Sequence, residues 1–258
     1  MPVRNTFLLA LLFLSSAVPA SAAELLFSVA ISMKEAVEEV GREFVRSRPG
    51  LTLRYNFGAS GELQKQIEAG APVDLFVSAG ERQVDELAQR GLIDPKTRKV
   101  FARNALVVIK PAGSNLDLAK PSDLLAPAVK RIVIGNPKTV PVGQYSEEVL
   151  RHLGLWEKIQ PRLLFAENVR QALEYVSRDE VDAGFVYATD AAARPGRVKV
   201  AFRPPEDSYR PVVYPVAMVK GARHPEVVRA FIDFLLSPAG QVVLARLGFQ
   251  PPAPARVR

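Results

Sequence analysis

The sequence predicts an α/β protein built on mainly parallel sheets, and three observations lead to this fold class. Short apolar runs typical of buried strands recur along the chain. Segments with apolar residues at helical spacing separate them, as at Val227, Phe231 and Leu235. No internal repeat or low-complexity linker interrupts this alternation, which is typical of parallel sheets joined by helices. The predicted strands are Glu24–Ala30, Leu51–Phe57, Asp74–Ser78, Ala105–Ile109, Arg131–Ile134, Ala183–Tyr187, Val198–Phe202 and Val212–Val219.

The first 23 residues have the pattern of a cleaved secretory signal peptide. Arg4 is followed by an apolar run, Phe7–Phe13, and then by small residues that end in Ala20–Ala22 (ASA). The apolar run is much shorter than the roughly 20 residues that span a bilayer, which disfavours a membrane anchor. No cysteine follows it, which excludes a lipid anchor on cysteine. We therefore expect residues 1–23 to be removed and the mature protein to be periplasmic.

Composition and charge exclude several classes of protein. The 258 residues contain no cysteine, so there is neither a disulfide framework nor a thiolate metal site. The formal net charge is +7, but the basic residues are scattered and form no basic stripe with interleaved aromatic residues. We therefore expect no nucleic-acid partner. The mild positive field of such a surface slightly favours anionic ligands.

The sequence contains no recognisable catalytic pattern. The two histidines, His152 and His224, lie outside any G-x-S-x-G or H-E-x-x-H pattern. Ser32 and Lys34 are two residues apart and would lie on different faces of a helix, unlike the S-x-x-K pair of a hydrolase. The carboxylates show no diagnostic pairing. We therefore expect no enzymatic activity, and an exported enzyme is the less favoured class.

Four predicted helix starts carry typical capping residues. Ser32 opens an S-x-x-E sequence that predicts a capping box, and Ser60 follows small residues at a second helix start. Pro141 stands just inside the start of the helix that contains Val142, and Asn168 is typical of the N-cap of a further helix. Each of these residues, taken alone, indicates only the beginning of a helix.

The position of three helix starts relative to the strands predicts an anion site. Ser32, Ser60 and Val142 each follow a predicted strand. In an open α/β sheet, ligands bind beyond the carboxyl ends of the strands, where the strand-to-helix loops converge. The run Gly58–Gly61 lacks the lysine of a P-loop. A lysine is not needed if several helix starts, each with free N–H groups and positive partial charge, share one oxyanion.

Seven stretches, spread over nearly all of the predicted mature chain, form a highly specific combination. They are QIEAGAPVDLFVSA (Gln66–Ala79), NALVVI (Asn104–Ile109), GNPKTVPVGQYSEEVLRHLGLWEKI (Gly135–Ile159), AENVRQALEYV (Ala166–Val176), AGFVYATDA (Ala183–Ala191), YPVAMVKG (Tyr214–Gly221) and LLSPAGQVVLARLGF (Leu235–Phe249). In this order and spacing the chain resembles the periplasmic molybdate-binding proteins of bacterial ABC importers.

The resemblance implies a two-lobed, type II-like periplasmic binding protein that closes on one tetrahedral oxyanion, molybdate or tungstate, in the cleft between the lobes. In this family five uncharged positions hold the anion. They correspond to the hydroxyls of Ser32, Ser60 and Tyr187 and to the backbone N–H groups of Val142 and Val169. The molybdenum is bound as the oxyanion without a direct protein ligand to the metal, and no cofactor is expected.

The chain departs from the family pattern at three places. The family commonly shows A-A-S-L where this chain has Ala30–Met33 (AISM), and it often has alanine at the position of Val142. Glu62 lies two residues after Ser60, and its carboxylate would repel a bound dianion if it turned inward. We therefore expect Glu62 to point to solvent.

The resemblance and the chain order together imply the boundaries of the lobes. We expect one lobe to comprise residues 24–103 plus 212–258, and the other to comprise residues 104–211. The hinge is expected near Arg103 and Ser208–Val213, where the chain crosses between the lobes. The implied partner is the membrane permease of an ABC importer, to which a monomer delivers the ligand.

The five predicted site groups bear on which oxyanion binds. A protonated phosphate brings an O–H that needs an acceptor, and none of the five groups provides a carboxylate, which argues against phosphate. Sulfate passes the same test because it is also a tetrahedral dianion without a proton. The residues therefore leave a carrier of sulfate or another tetrahedral oxyanion as the alternative, and the preference for molybdate depends on the resemblance.

Overall fold

The computed structural model describes residues 23–253, so that residues 1–22 of the predicted signal peptide lie outside the described part. Ten strands in the described part form two five-stranded sheets. The strands are β1 Ala23–Ala30, β2 Leu51–Gly58, β3 Leu75–Val77, β4 Lys99–Asn104, β5 Leu106–Pro111, β6 Ile132–Gly135, β7 Leu163–Ala166, β8 Ala183–Tyr187, β9 Val198–Phe202 and β10 Val212–Met218. All eight predicted strands are present, with small differences at their ends.

The two sheets have the same plan. The first sheet has the order β2-β1-β3-β10-β4, and the second has the order β7-β6-β8-β5-β9. In the first sheet β10 is antiparallel to both of its neighbours, and in the second β5 is. The other four strands of each sheet therefore run in one direction, which confirms the prediction of mainly parallel sheets. We call the first sheet with its helices the first lobe, and the second sheet with its helices the second lobe.

Helices cover the faces of both sheets and bury apolar side chains against them. Phe231 and Leu235, two of the residues that predict a helix from their spacing, are fully buried. The Phe231 ring lies 4.8 Å from Phe27 and 5.1 Å from Phe44, between centroids, so the helix packs directly on the first sheet and on a neighbouring helix. The α-helices among the described residues are α1 Lys34–Val45, α2 Ser60–Glu68, α3 Glu81–Gln89, α4 Pro141–His152, α5 Trp156–Ile159, α6 Val169–Ser177, α7 Ala188–Ala192, α8 Pro225–Leu236 and α9 Pro238–Arg246.

The length and apolar character of these helices decide whether one of them could span a membrane. Within residues 23–253, no single helix has both the length and the apolar character of a membrane span. Helices α8 and α9, which meet at a bend of 60°, reach that length and character only when they are taken together.

Two strands, β4 and β7, are absent from the sequence prediction, and both lie at sheet edges. Strand β4 reads KVFARN, in which charged and polar residues interrupt the apolar run. Strand β7 has only four residues, and Phe165 within it is half exposed. An edge strand that is only partly buried carries a weaker hydrophobic pattern than a central one, so neither run stands out in the sequence.

Strand register brings the helix starts of each lobe together beyond the carboxyl ends of its parallel strands. Strand β1 pairs with β2 in parallel over its whole length, with Ala30 opposite Gly58. Ser32 lies two residues after Ala30, and Ser60 lies two residues after Gly58. The register therefore places both serines at equivalent points beyond the carboxyl ends of β1 and β2. In the second lobe Gly135 lies opposite Ala166 at the ends of β6 and β7, and helices α4 and α6 begin beyond them.

The chain crosses between the lobes at two places. It leaves the first sheet at Asn104, enters the second sheet at Leu106, and returns between β9 and β10. The Asn104 side chain ties the two lobes together at the first crossing, because its Nδ2 donates to Thr189 Oγ1 at 2.9 Å and to Tyr214 Oη at 3.2 Å. Gln250, near the end of the described part, exchanges two backbone hydrogen bonds with Arg103 beside this crossing.

Close backbone packing fixes the start of α4. A Cβ atom at Gly143 would lie 1.9 Å from the carbonyl oxygen of Gly135, at the end of β6. Only glycine therefore lets the first turn of α4 approach the strand this closely. The approach positions Val142, which directly precedes Gly143, beyond the carboxyl end of the second sheet.

Candidate functional site

A small cavity lies between the lobes, beyond the carboxyl ends of the parallel strands. Its volume is about 10 Å³. All five sequence-predicted site residues line it, and none of the lining residues carries a charged side chain. The lining residues are Ala30, Ile31, Ser32, Gly58, Ala59, Ser60, Ala79, Val140, Pro141, Val142, Asn168, Val169 and Tyr187.

The two serines of the first lobe do not cap their helices. Helix α2 begins at Ser60 itself, with Ala59 at the N-cap, and α1 begins at Lys34 after a 3₁₀ turn that contains Ser32. No side-chain cap hydrogen bond is present at either start, so both capping predictions are wrong. The physical reason is a shift of one or two residues: α2 already includes Ser60, and the 3₁₀ turn that contains Ser32 precedes α1, so neither serine stands at the N-cap position.

Both serine hydroxyls are consequently available to the cavity. Ser60 is fully buried, and its Oγ accepts a hydrogen bond from the backbone N–H of Ala79 at 3.0 Å, so its own proton is free to be donated. Ser32 is 5% exposed, and its Oγ lies near the Tyr214 hydroxyl without a hydrogen bond of good geometry to any described residue. A buried hydroxyl without a well-aligned partner needs an explanation, and a ligand in the cavity would provide one.

The second lobe contributes two helix starts with free N–H groups. Pro141 occupies the first turn of α4 and Asn168 caps α6, with its Oδ1 accepting from Gln171 N at 3.0 Å, so both of these predictions are confirmed. Val142 and Val169 lie in the first turns of these helices, where a backbone N–H has no carbonyl partner within its own helix. Within the described part of the chain, no backbone carbonyl outside the helices accepts from them either.

Tyr187 contributes a third hydroxyl from the end of β8. Its side chain is 1% exposed, and this burial raises the pKa of the hydroxyl well above its ordinary value. The hydroxyl therefore stays protonated and acts as a donor. It donates to the carbonyl oxygen of Ala79, in the first lobe, at a long distance of 3.5 Å.

The cavity therefore collects hydrogen-bond donors and positive partial charge without any formal charge. The helix starts at Ser60, Val142 and Val169 point their positive ends toward one small space. Glu62 is exposed to solvent, as expected, and does not line the cavity. Such an arrangement suits a small ligand that has hydrogen-bond acceptors and no hydrogen-bond donors.

Direct contacts join the lobes around the cavity, so the structure is a closed conformation. The N–H of Gly61, in the first lobe, donates to the carbonyl of Thr139, in the second, at 2.9 Å. A Cβ atom at Gly61 would lie 2.5 Å from that carbonyl oxygen, so the contact needs glycine. Arg170 of α6 reaches across to Glu35 of α1, with 2.6 Å between Nη2 and Oε2.

Arg170 also contacts a buried carboxylate behind the site. Its Nε lies 3.2 Å from Oδ1 of Asp190, although the hydrogen is not aligned for a good hydrogen bond. Asp190 is 1% exposed, and this burial raises the pKa of its carboxyl to about 7, against the opposing effect of Arg170. The Tyr187 backbone lowers the pKa of the Asp190 carboxyl, and the Glu35 carboxylate raises it. Asp190 in turn adds to the effect of burial in raising the pKa of the Tyr187 and Tyr214 hydroxyls.

Four residues near the cavity are missing from the sequence prediction. Ala79 follows β3 by two residues, as Ser32 follows β1, and this shared position is a signal that could have identified it. Arg170 directly follows Val169, within the E-N-V-R stretch. Tyr145 and Gly61 give no sequence signal, because their roles depend on contacts with residues far away in the chain.

Among residues 23–253, no group of three or more histidine, cysteine, aspartate or glutamate side chains is arranged to hold a metal ion.

Comparisons with known proteins show the family to which the chain belongs. Residues 25–250 match the family of bacterial extracellular solute-binding proteins. The molybdate-binding protein ModA of Haemophilus influenzae is 39% identical over 233 residues, which cover 89% of this chain and 91% of that protein. The solved structure of the Azotobacter vinelandii periplasmic molybdate-binding protein is similar with a TM-score of 0.78 and 28% identity, over 88% of this chain and 99% of that chain.

A second solved structure is similar in fold alone. The sulfate-binding protein SubI from Mycobacterium tuberculosis H37Rv has a TM-score of 0.81, at 18% identity, over 90% of this chain and 88% of that chain. The chain belongs to the bacterial extracellular solute-binding protein family, and it is a binding protein rather than an enzyme.

The buried carboxyl of Asp190 predicts a pH-dependent stability. Its raised pKa means that the folded protein keeps a proton up to about pH 7, whereas the unfolded chain releases it near pH 4. Folding stability therefore falls as pH rises between these values. Between pH 5 and pH 7.5, we expect the parent to lose roughly 2–3 kcal/mol of unfolding free energy relative to Asp190→Asn.

Urea unfolding at a series of pH values measures this difference. Asp207→Asn, which changes an exposed carboxylate, is the matched control and should follow the parent. Parallel pH profiles for the parent and Asp190→Asn would contradict the prediction.

Proposed function

We propose that this protein captures molybdate, and tungstate as a second ligand, in the cleft and delivers it to the membrane permease of an ABC importer. The observation that carries the proposal is the convergence of five uncharged donor groups from both lobes on one small cavity. The identity of 39% with a molybdate-binding protein over most of both chains supports this choice of ligand.

The chemistry of the donors selects a fully deprotonated oxyanion. Molybdate, tungstate and sulfate carry only acceptors, which match a site whose available side-chain and helix-start groups are donors. A protonated phosphate would place its O–H against these donors and leave it without a partner, which costs binding free energy. Neutral donors suffice for a dianion because the helix starts add positive partial charge and the cavity is shielded from water.

Capture and delivery follow from the division of the site between the lobes. Ser32 and Ser60 belong to the first lobe, whereas Val142, Val169 and Tyr187 belong to the second, so all five reach one ligand only when the lobes are closed. Opening about the two crossings separates the donors and releases the ligand. We propose that the protein does this as a monomer without a cofactor, in the periplasm, after removal of the signal peptide.

Thermal unfolding with molybdate, tungstate, sulfate and phosphate tests the proposed ligand. A ligand at 100 times its dissociation constant stabilises the folded state by about 2.7 kcal/mol. For a protein of this size we expect the Tm to rise by roughly 5–10 °C with molybdate and tungstate. Phosphate should give no rise. A rise with sulfate alone would identify a sulfate carrier, and no rise with any of the four would reject the proposed function.

The Ser60 hydroxyl is expected to contribute directly to binding. Ser60→Ala removes a donor to the anion and also the acceptor of the Ala79 N–H, so molybdate affinity should fall by about tenfold or more. Titration calorimetry measures this loss. Ser146→Ala is the matched control, because Ser146 is also fully buried but donates to the Val142 carbonyl within its own helix. Unchanged affinity in Ser60→Ala would remove Ser60 from the site.

The contact between Gly61 and Thr139 predicts that closure requires glycine. In Gly61→Ala the added Cβ would overlap the Thr139 carbonyl, so the lobes cannot close fully. We expect a smaller decrease in the radius of gyration on molybdate addition and an affinity at least tenfold lower, measured by solution scattering and calorimetry. Gly113→Ala, at an exposed position with no atom within 4 Å of the new Cβ, is the control. Full compaction in Gly61→Ala would show that the contact does not limit closure.

A further inference from the structure

The carbonyl oxygen of Ala79 accepts hydrogen bonds from two tyrosine hydroxyls of the opposite lobe. Tyr145 Oη lies 3.4 Å from it, and Tyr187 Oη lies 3.5 Å from it. Ala79 is 3% exposed and lines the cavity, so its carbonyl oxygen is sheltered from bulk water. The two rings pack edge to face with 6.5 Å between their centroids, which holds both hydroxyls beside the same oxygen.

The two tyrosines differ in their access to the ligand. Tyr187 lines the cavity, whereas Tyr145 does not. Tyr145 lies one turn after Val142 on α4, and its burial raises the pKa of its hydroxyl, so that it stays protonated. Tyr145 is therefore a permanent donor that reaches the Ala79 carbonyl and not the ligand.

Ligand binding creates a conflict at Tyr187 that Tyr145 resolves. The Tyr187 hydroxyl has one proton, so it cannot donate fully to the oxyanion and to the Ala79 carbonyl at the same time. When it turns to the anion, a buried carbonyl loses one of its donors, and an unsatisfied buried acceptor is unfavourable. The Tyr145 hydroxyl is already within reach of the same oxygen and keeps it hydrogen-bonded.

We propose that Tyr145 is a positioning residue for oxyanion binding, which frees the Tyr187 hydroxyl for the ligand by holding the Ala79 carbonyl. This inference rests on the proposed function, in which Tyr187 donates to the bound anion. It assigns to Tyr145 an effect on affinity that passes entirely through another side chain. That dependence separates a positioning role from a general effect on packing.

A double-mutant cycle with molybdate calorimetry tests the proposal. Tyr145→Phe should weaken binding by about tenfold in the parent, because the Tyr187 proton is then retained by Ala79. In the Tyr187→Phe background the same change should alter affinity by less than about twofold, because no proton is left to be released. Tyr175→Phe, a half-buried tyrosine outside the cavity, is the control and should bind as the parent does.

The possible outcomes separate this inference from the proposed function. An equal loss in both backgrounds, or no loss in the parent, would overturn the positioning role while molybdate binding stands. A parent that binds no molybdate would overturn both. If Tyr145→Phe fails to fold, a structure of the parent with molybdate decides. The distance from Tyr145 Oη to Ala79 O should then shorten from 3.4 Å, and a lengthened distance would refute the role.

Discussion

The proposed binding of an anion without a counter-charge, in a cavity shielded from water, is the constraint on which the rest of this structure depends. Such a ligand needs several hydrogen-bond donors that are not already engaged, and the first turns of helices are the main source of them in a folded chain. The cavity between the lobes is lined by helix starts at Ser60, Val142 and Val169 and has no charged side chain in its wall. The parallel strands serve this purpose because their carboxyl ends bring the following helix starts together.

Division of the donors between two sheets links binding to conformation. Each lobe alone presents only part of the donor set, and the lobes also meet through direct bonds such as Gly61 to Thr139 and Arg170 to Glu35. Closure therefore depends on what lies between the lobes as well as on these contacts. The chain enters the second sheet along β5 and returns to the first sheet along β10. Each of these antiparallel strands pairs with the third of the five strands in its sheet, so both crossings lie next to the middle of a sheet.

Much of the fold could be predicted from the sequence because burial leaves a local signature. The central strands, such as β8, appear as continuous apolar runs, and Asn168 and Pro141 mark their helices by local chemistry. Local chemistry is misleading at Ser32 and Ser60, because a serine at a helix start is typical of an N-cap. In the structure their hydroxyls face the cavity or Ala79 instead. The residues predicted to form a site do line one cavity without capping their helices, and their binding of an anion stays a prediction.

Other features of the site could not be predicted, because they depend on contacts between distant segments. Tyr145 and Tyr187 reach Ala79 across 66 and 108 positions of sequence, and no local pattern records such a meeting. Gly61 is indistinguishable in the sequence from the neighbouring small residues. Its importance comes only from the Thr139 backbone of the other lobe. The partly buried edge strand β4 likewise lacks a pattern that would identify it.

Anomalous scattering from molybdenum, in crystals grown with molybdate, locates the bound anion. We expect a single strong peak in the cavity between the lobes. The oxygen atoms of the anion should lie within hydrogen-bond distance of the hydroxyls of Ser32, Ser60 and Tyr187 and of the backbone N–H groups of Val142 and Val169. No lysine or arginine should contact the anion. A peak outside the cavity, or an anion held by a basic side chain, would show that these uncharged donors do not form the binding site.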